Sequence, residues 1–100
     1  MTVLVFGTLR FPPETMTKVV PHLRELVEAT RRHDGCIAYD VAEDLFDKGL
    51  IRFSEIWPDA ASLAAHLQAP HIAPWRAVCR ELGLMDRSFV AYDGSGARGV

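Results

Sequence analysis

The spacing of apolar residues divides this chain into four strand-like and three helix-like segments. Val3, Leu4, Val5 and Phe6 form a β-branched and aromatic run that ends near Leu9 to Phe11, where Pro12-Pro13 stops it. From Glu14 the step changes to three and four: Met16, Val19, Val20, Leu23, Leu26, Val27 and Thr30 make one stripe of a helix. Lys18, Arg24, Glu25, Glu28, Arg31 and Arg32 fall largely off it, and Asp34-Gly35 ends it. Pro21 interrupts this pattern and predicts a kink or a later start.

Cys36 to Glu43 reads as a second strand with Ile37, Tyr39 and Val41 on one face. Residues 44–49 form a turn, and Leu50 to Trp57 returns as the antiparallel partner. On that third strand Ile51, Phe53, Glu55 and Trp57 share one face, and Leu50, Arg52, Ser54 and Ile56 the other. Apolar residues on both faces predict that both are covered. Asp59 is a good N-cap for a short helix through Gln68. Pro70 suits the first turn of another, striped by Trp75, Val78, Cys79 and Leu82 and ended by Gly83. Met85 to Asp93 is the fourth strand. The expected domain is 1–93, with 94–100 a flexible tail.

The order β-α-β-β-α-α-β is the ferredoxin-like split βαβ arrangement of the α+β class. It predicts a four-stranded antiparallel sheet with helices on one face. The other face still carries apolar side chains, and two such sheets packed together would bury it, so a homodimer through sheet faces is expected.

Composition narrows the function. One hundred residues make one domain, with an apolar share slightly above the usual. A net charge of -2 with mixed signs offers no basic stripe for nucleic acid. No apolar run approaches the ~18 residues of a membrane span. The opening residues lack the basic stretch and cleavage site of a signal peptide, so the expected location is cytoplasmic. Cys36 and Cys79 have no metal-site spacing and are expected reduced and buried.

Most candidate chemistry lies between residues 53 and 75. His66, late in its helix, is either a general base facing a pocket or a residue that fixes the turn before Pro70. His71 begins the next helix, where a neutral ring that caps or packs is favoured, although it is also a candidate for contacting substrate. The two histidines lie five apart across a helix break with no third ligand at recognisable spacing, so no metal is expected. Trp57 and Trp75 either stack on a flat ligand or anchor the core. Glu55 is either an acid–base group or half of an ion pair, with Arg87 a candidate partner. Tyr39 either offers a hydroxyl to the same cavity or fills it.

Three runs carry a resemblance: Gly35-Cys36-Ile37-Ala38-Tyr39, then Glu55-Ile56-Trp57-Pro58-Asp59, then His66-Leu67-Gln68-Ala69-Pro70-His71-Ile72. In order and at this spacing they resemble the signature of antibiotic biosynthesis monooxygenase domains, over nearly the whole chain. The resemblance implies a dimeric α/β barrel and, as in some characterised members, oxidation of phenols, anthrones or quinols by O2 without metal or flavin. Other members cleave haem or isomerise small compounds. Haem-cleaving members use an axial histidine where this chain reads Ile72-Ala73-Pro74-Trp75-Arg76, and an asparagine on a first strand that here has none. Members acting on anthrones often use an asparagine and a tryptophan where this chain has Ala61 to His66. The reading is a cofactor-independent monooxygenase of a small electron-rich aromatic, with His66 catalytic and Trp75, Trp57, Tyr39, His71 and Glu55 around the substrate. A non-catalytic dimeric ligand-binding domain and an isomerase of a small carbonyl compound are the alternatives.

Overall fold

The β-branched start of the chain becomes β1 (Thr2–Arg10), and the sheet is built outward from it. The computed structural model describes residues 1–100 and continues with α1 (Met16–His33), β2 (Ala38–Glu43), β3 (Leu50–Trp57), α2 (Ala60–Leu67), α3 (Ile72–Glu81) and β4 (Asp86–Gly94). The strands run in the order β2-β3-β1-β4, every neighbouring pair antiparallel. Each βαβ crossover therefore passes over one intervening strand, the split βαβ layout of an α+β ferredoxin-like sheet with its helices on one face.

The period of two decides which side chains meet those helices. Val3, Val5 and Leu9 of β1, and Ile51, Phe53, Glu55 and Trp57 of β3, are all buried. Ile51 and Trp57 are wholly so, and burial of a side chain of that size is worth about 1.5–3 kcal/mol. Gly7 stands between Phe53 and Phe89 in the register. A β-carbon there would lie 2.1 Å from the Phe89 ring, so the missing side chain is what lets Phe89 approach Phe53, centroid to centroid 5.2 Å. The opposite sheet face carries Leu4, Phe6, Ile56, Val90 and Tyr92. Phe6 and Tyr92 are each more than half exposed there, with their rings 6.2 Å apart.

Several elements differ from the sequence pattern for local reasons. A 3-10 turn at Pro13–Thr15 delays α1 to Met16 rather than Glu14. Pro21 lies inside α1 without ending it. The carbonyl of Thr17, deprived of its usual donor, is on the exposed side and free to meet water. β2 begins at Ala38, not Cys36, and Ile37 is 61% exposed instead of joining Tyr39 and Val41. Its N–H still donates to the Ile56 carbonyl at 2.8 Å, the last rung before the strands part. The turn before β3 depends on Gly49, whose φ of 89° only glycine adopts cheaply. Its N–H donates to Glu43 Oε2 at 2.8 Å, and its carbonyl accepts from the Phe11 N–H at 2.9 Å.

Asp59 caps α2 as its sequence position suggested, its Oδ1 accepting from the Ser62 N–H at 2.7 Å. α3 leans on α1 rather than across the whole sheet. The helix side of β4 is consequently open, and even Ala91 is exposed. β4 runs to Gly94, and residues 95–100 carry no helix or strand. No helix is long and apolar enough to cross a membrane.

Candidate active site

Between the sheet and α2 and α3 lies a cavity of about 440 Å³, within the size range of small-molecule sites. Tyr39, Phe53, Trp75 and Phe89 give it aromatic walls, and Glu55 and His66 are its inner polar groups. The capped α2 carries His66 in its last turn, and the N–H groups of Gln68, Ala69 and Ile72 hold the tight exit that follows. The His66 ring is 4% exposed, tilted against Trp57 at 4.7 Å and meeting the edge of Tyr39 at 5.4 Å.

The group that organises the histidines is Asp34, which the sequence pattern treated only as the end of α1. Its Oδ2 lies 2.6 Å from His66 Nδ1 and 2.7 Å from His71 Nε2, and its side chain is 6% exposed. An oxygen of an ionised carboxylate can only accept, so both facing ring nitrogens carry hydrogen. With an ionised Asp34 and neutral rings, this geometry assigns His66 the Nδ1–H tautomer with a bare Nε2, and His71 the Nε2–H tautomer with a bare Nδ1. His66 Nε2 makes no hydrogen bond, yet it is not sealed from solvent, and the residue lines the cavity. A free acceptor nitrogen is thus held at the inner wall by a buried carboxylate behind it.

A signal for Asp34 was present. Arg31, Arg32 and His33 suit the negative end of α1, whereas an acid directly after them at the C-cap opposes the helix dipole. A buried acid so placed calls for donors from elsewhere in the fold. The same three residues bring one nitrogen or oxygen each within 4.8 Å of one another, a donor set familiar from metal sites. Ligands about 2.1 Å from a tetrahedral ion stand roughly 3.4 Å apart. Separations of 2.6 and 2.7 Å instead match hydrogen bonds, and the cluster is closed on itself.

Of the sequence candidates, Tyr39, Glu55, His66 and Trp75 line the cavity together, while Trp57 and His71 do not. Trp57 is wholly buried behind His66, and its indole N–H donates to Glu55 Oε1 at 2.9 Å. His71 provides no side-chain cap to α3 and faces Asp34. The ion pair between Glu55 and Arg87 does not form within the chain. Glu55 is satisfied by Trp57, and Arg87 lies over the Phe89 ring at 4.7 Å. Burial pushes the Glu55 carboxyl above its usual range, against the opposing pull of the Trp57 bond. Burial, and then the Glu55 charge, push the Tyr39 phenol far up, so it stays protonated. Cys79, also on the wall, is pushed up to about 11 by burial and is no nucleophile at neutral pH.

A split βαβ sheet roofed by two short helices around an apolar cavity, with one acceptor nitrogen at its wall, defines a small-molecule-binding α+β domain. The chain belongs to the antibiotic biosynthesis monooxygenase family, whose model matches residues 2–78. A crystal structure of an antibiotic biosynthesis monooxygenase is 33% identical, covers 94% of this chain and 99% of its own, and superposes with a TM-score of 0.86. A Deinococcus radiodurans protein, named as a candidate antibiotic biosynthesis monooxygenase, is 28% identical over 98% of this chain and 97% of its own, with a TM-score of 0.90. Rv0793 from Mycobacterium tuberculosis, 23% identical with a TM-score of 0.85 over 99% and 100% of the two chains, shares the fold. Uncharacterized protein sll1783 of Synechocystis sp. is 28% identical over 69 residues, 69% of this chain, which spans about half (47%) of that relative's length.

Proposed function

We propose that the protein is a cofactor-independent monooxygenase of a small electron-rich aromatic of the phenol or quinol type, with His66 as its general base. The observation that carries this reading is the bare Nε2 of His66 beside an apolar, aromatic-walled cavity, with Nδ1 already committed to Asp34. His66 Nε2 accepts the phenolic proton, and the resulting phenolate gives one electron to O2. The aryloxyl and superoxide radicals recombine at a ring carbon to form a peroxide. Loss of the ring C–H proton and cleavage of the O–O bond then leave a carbonyl and water. For 1-naphthol the balance is one naphthol and one O2 giving one naphthoquinone and one water. The protein supplies orientation and a dry pocket, and the substrate supplies all the electrons. Trp75 and Tyr39 contact the aromatic ring, Glu55 stands at the inner end, and Trp57 and His71 act through His66 and Asp34 respectively.

The same reading includes a homodimer. Leu4, Phe6, Ile56, Val90 and Tyr92 form an apolar sheet face that a second copy would cover, closing the two sheets into an α/β barrel.

Oxygen-electrode assays of purified, metal-stripped protein with hydroquinones and naphthols test the activity. Enzyme-dependent O2 uptake with a one-to-one yield of quinone is expected, falling at least about 100-fold in His66→Ala with the fold retained. Uptake unchanged in that variant removes the base. Ligand-induced thermal shifts with no uptake by any phenol would assign the chain to the non-catalytic binding reading instead.

A further inference from the structure

The cavity opens between α3 and β4, and three arginines stand at that opening. Arg76 and Arg80 are one helical turn apart on α3, and Arg87 comes from β4 opposite. All three line the cavity and are exposed, which places them at its mouth rather than in its interior. No carboxylate lies within salt-bridge distance of any of them, whereas Arg10, Arg31 and Arg52 are paired with Asp47, Asp40 and Asp44. Arg87 is held over the Phe89 wall at 4.7 Å, which directs its guanidinium along the cavity edge.

The chain as a whole carries a net charge of -2, so three arginines lining one opening are a local concentration of positive charge. Three like charges lining one opening without counter-ions repel one another, and an anionic group entering between them relieves that repulsion. The interior supplies no competing anion at the mouth. Glu55 lies deep, bonded to Trp57, in a setting that disfavours its charge.

We propose that the ligand of this cavity is an aromatic acid, its ring among Tyr39, Phe53, Trp75 and Phe89 and its carboxylate at Arg76, Arg80 and Arg87. The guanidinium fork matches a carboxylate through two parallel N–H···O bonds, which makes arginine the fitting residue for this task. The inference rests on the reading of the cavity as the substrate site. It narrows the substrate class to phenols bearing a carboxylate on the side of the ring away from His66.

Calorimetric titration with 6-hydroxy-2-naphthoate and its uncharged carboxamide tests it, because the pair shares one ring and one phenol. The acid is expected to bind at least about ten-fold more tightly at low salt, with the advantage shrinking in about 0.5 M NaCl. The double variant Arg80→Gln, Arg87→Gln should cut the advantage to roughly two-fold and leave carboxamide binding unchanged. Lys18→Gln, an exposed charge on α1, should alter neither. Equal binding of acid and amide, binding of neither, or arginine variants that weaken both alike each overturn the proposal. Arginine-dependent preference for the acid without O2 uptake supports the site while removing the oxygenase reading, so the two fail separately.

Discussion

Asp34→Asn is the most informative single change, because it keeps the shape of the side chain and removes only its charge and half its accepting capacity. In the native arrangement one carboxylate oxygen takes N–H bonds from His66 at 2.6 Å and His71 at 2.7 Å, all three side chains being largely buried. Charge-assisted bonds contribute about 1.5–3 kcal/mol each against about 1 for neutral ones. Converting both to neutral bonds should cost roughly 1–4 kcal/mol. For a domain of this size each kcal/mol lowers Tm by about 4–8 °C, so a drop of roughly 4–30 °C is expected. The finer readout is tautomeric. Long-range proton–nitrogen correlations on histidine-labelled protein should show His66 as Nδ1–H and His71 as Nε2–H in the native chain. The exposed His22 and His33 serve as references. In Asp34→Asn at least one of the two should change tautomer or become a mixture, and kcat should fall more than KM rises. A native His66 carrying its hydrogen on Nε2 would falsify the network. So would an Asn variant with unchanged Tm and unchanged tautomers.

Other consequences follow from the packing. Gly7→Ala places a β-carbon 2.1 Å from the Phe89 ring, so the ring must leave Phe53; a loss of about 1–3 kcal/mol in urea melts is expected, and a neutral effect contradicts the close approach. Glu55 is held above the usual carboxylate range, so the folded state binds its proton more tightly than the unfolded chain. Its contribution is then fully present below the ordinary carboxylate value and is lost as pH rises through the folded value; Glu55→Gln should flatten stability against pH in that window, and an unchanged slope argues against the burial account. Phe6→Asp puts a charge in the open sheet face; light scattering should find a dimer for the native chain and a monomer for the variant, and a monomeric native chain at tens of micromolar removes the dimer.

Much of the scaffold was legible in the residues because its determinants are local. The alternation Ile51, Phe53, Glu55, Trp57 needs only the two-residue period of a strand to share a face, and Leu50–Trp57 is the observed β3. The three-and-four spacing of α1 and the Asp59 cap of α2 are likewise matters of a few neighbouring positions. Ile37 left its expected face, because where a hairpin stops pairing depends on the partner strand and not on its own pattern.

The site was only partly readable. His66 and Trp75 stood out as residue types, and the cavity does contain both. Asp34 did not stand out, since it lies 32 and 37 positions from the histidines it joins, and nothing along the chain encodes that convergence. The Glu55–Arg87 pair failed for a related reason: an indole two residues away satisfied the carboxylate before a more distant cation could. The sequence by itself determined the order of strands and helices, the inward faces of the third strand and the long helix, and the family, because periodicity, capping and short motifs act over a few residues. Only the tertiary structure decided which nitrogen of His66 is bare, which tryptophan reaches the cavity, and which arginines stand at its mouth. Those outcomes depend on side chains meeting across the sheet and helices, and such meetings are set by packing of the whole chain.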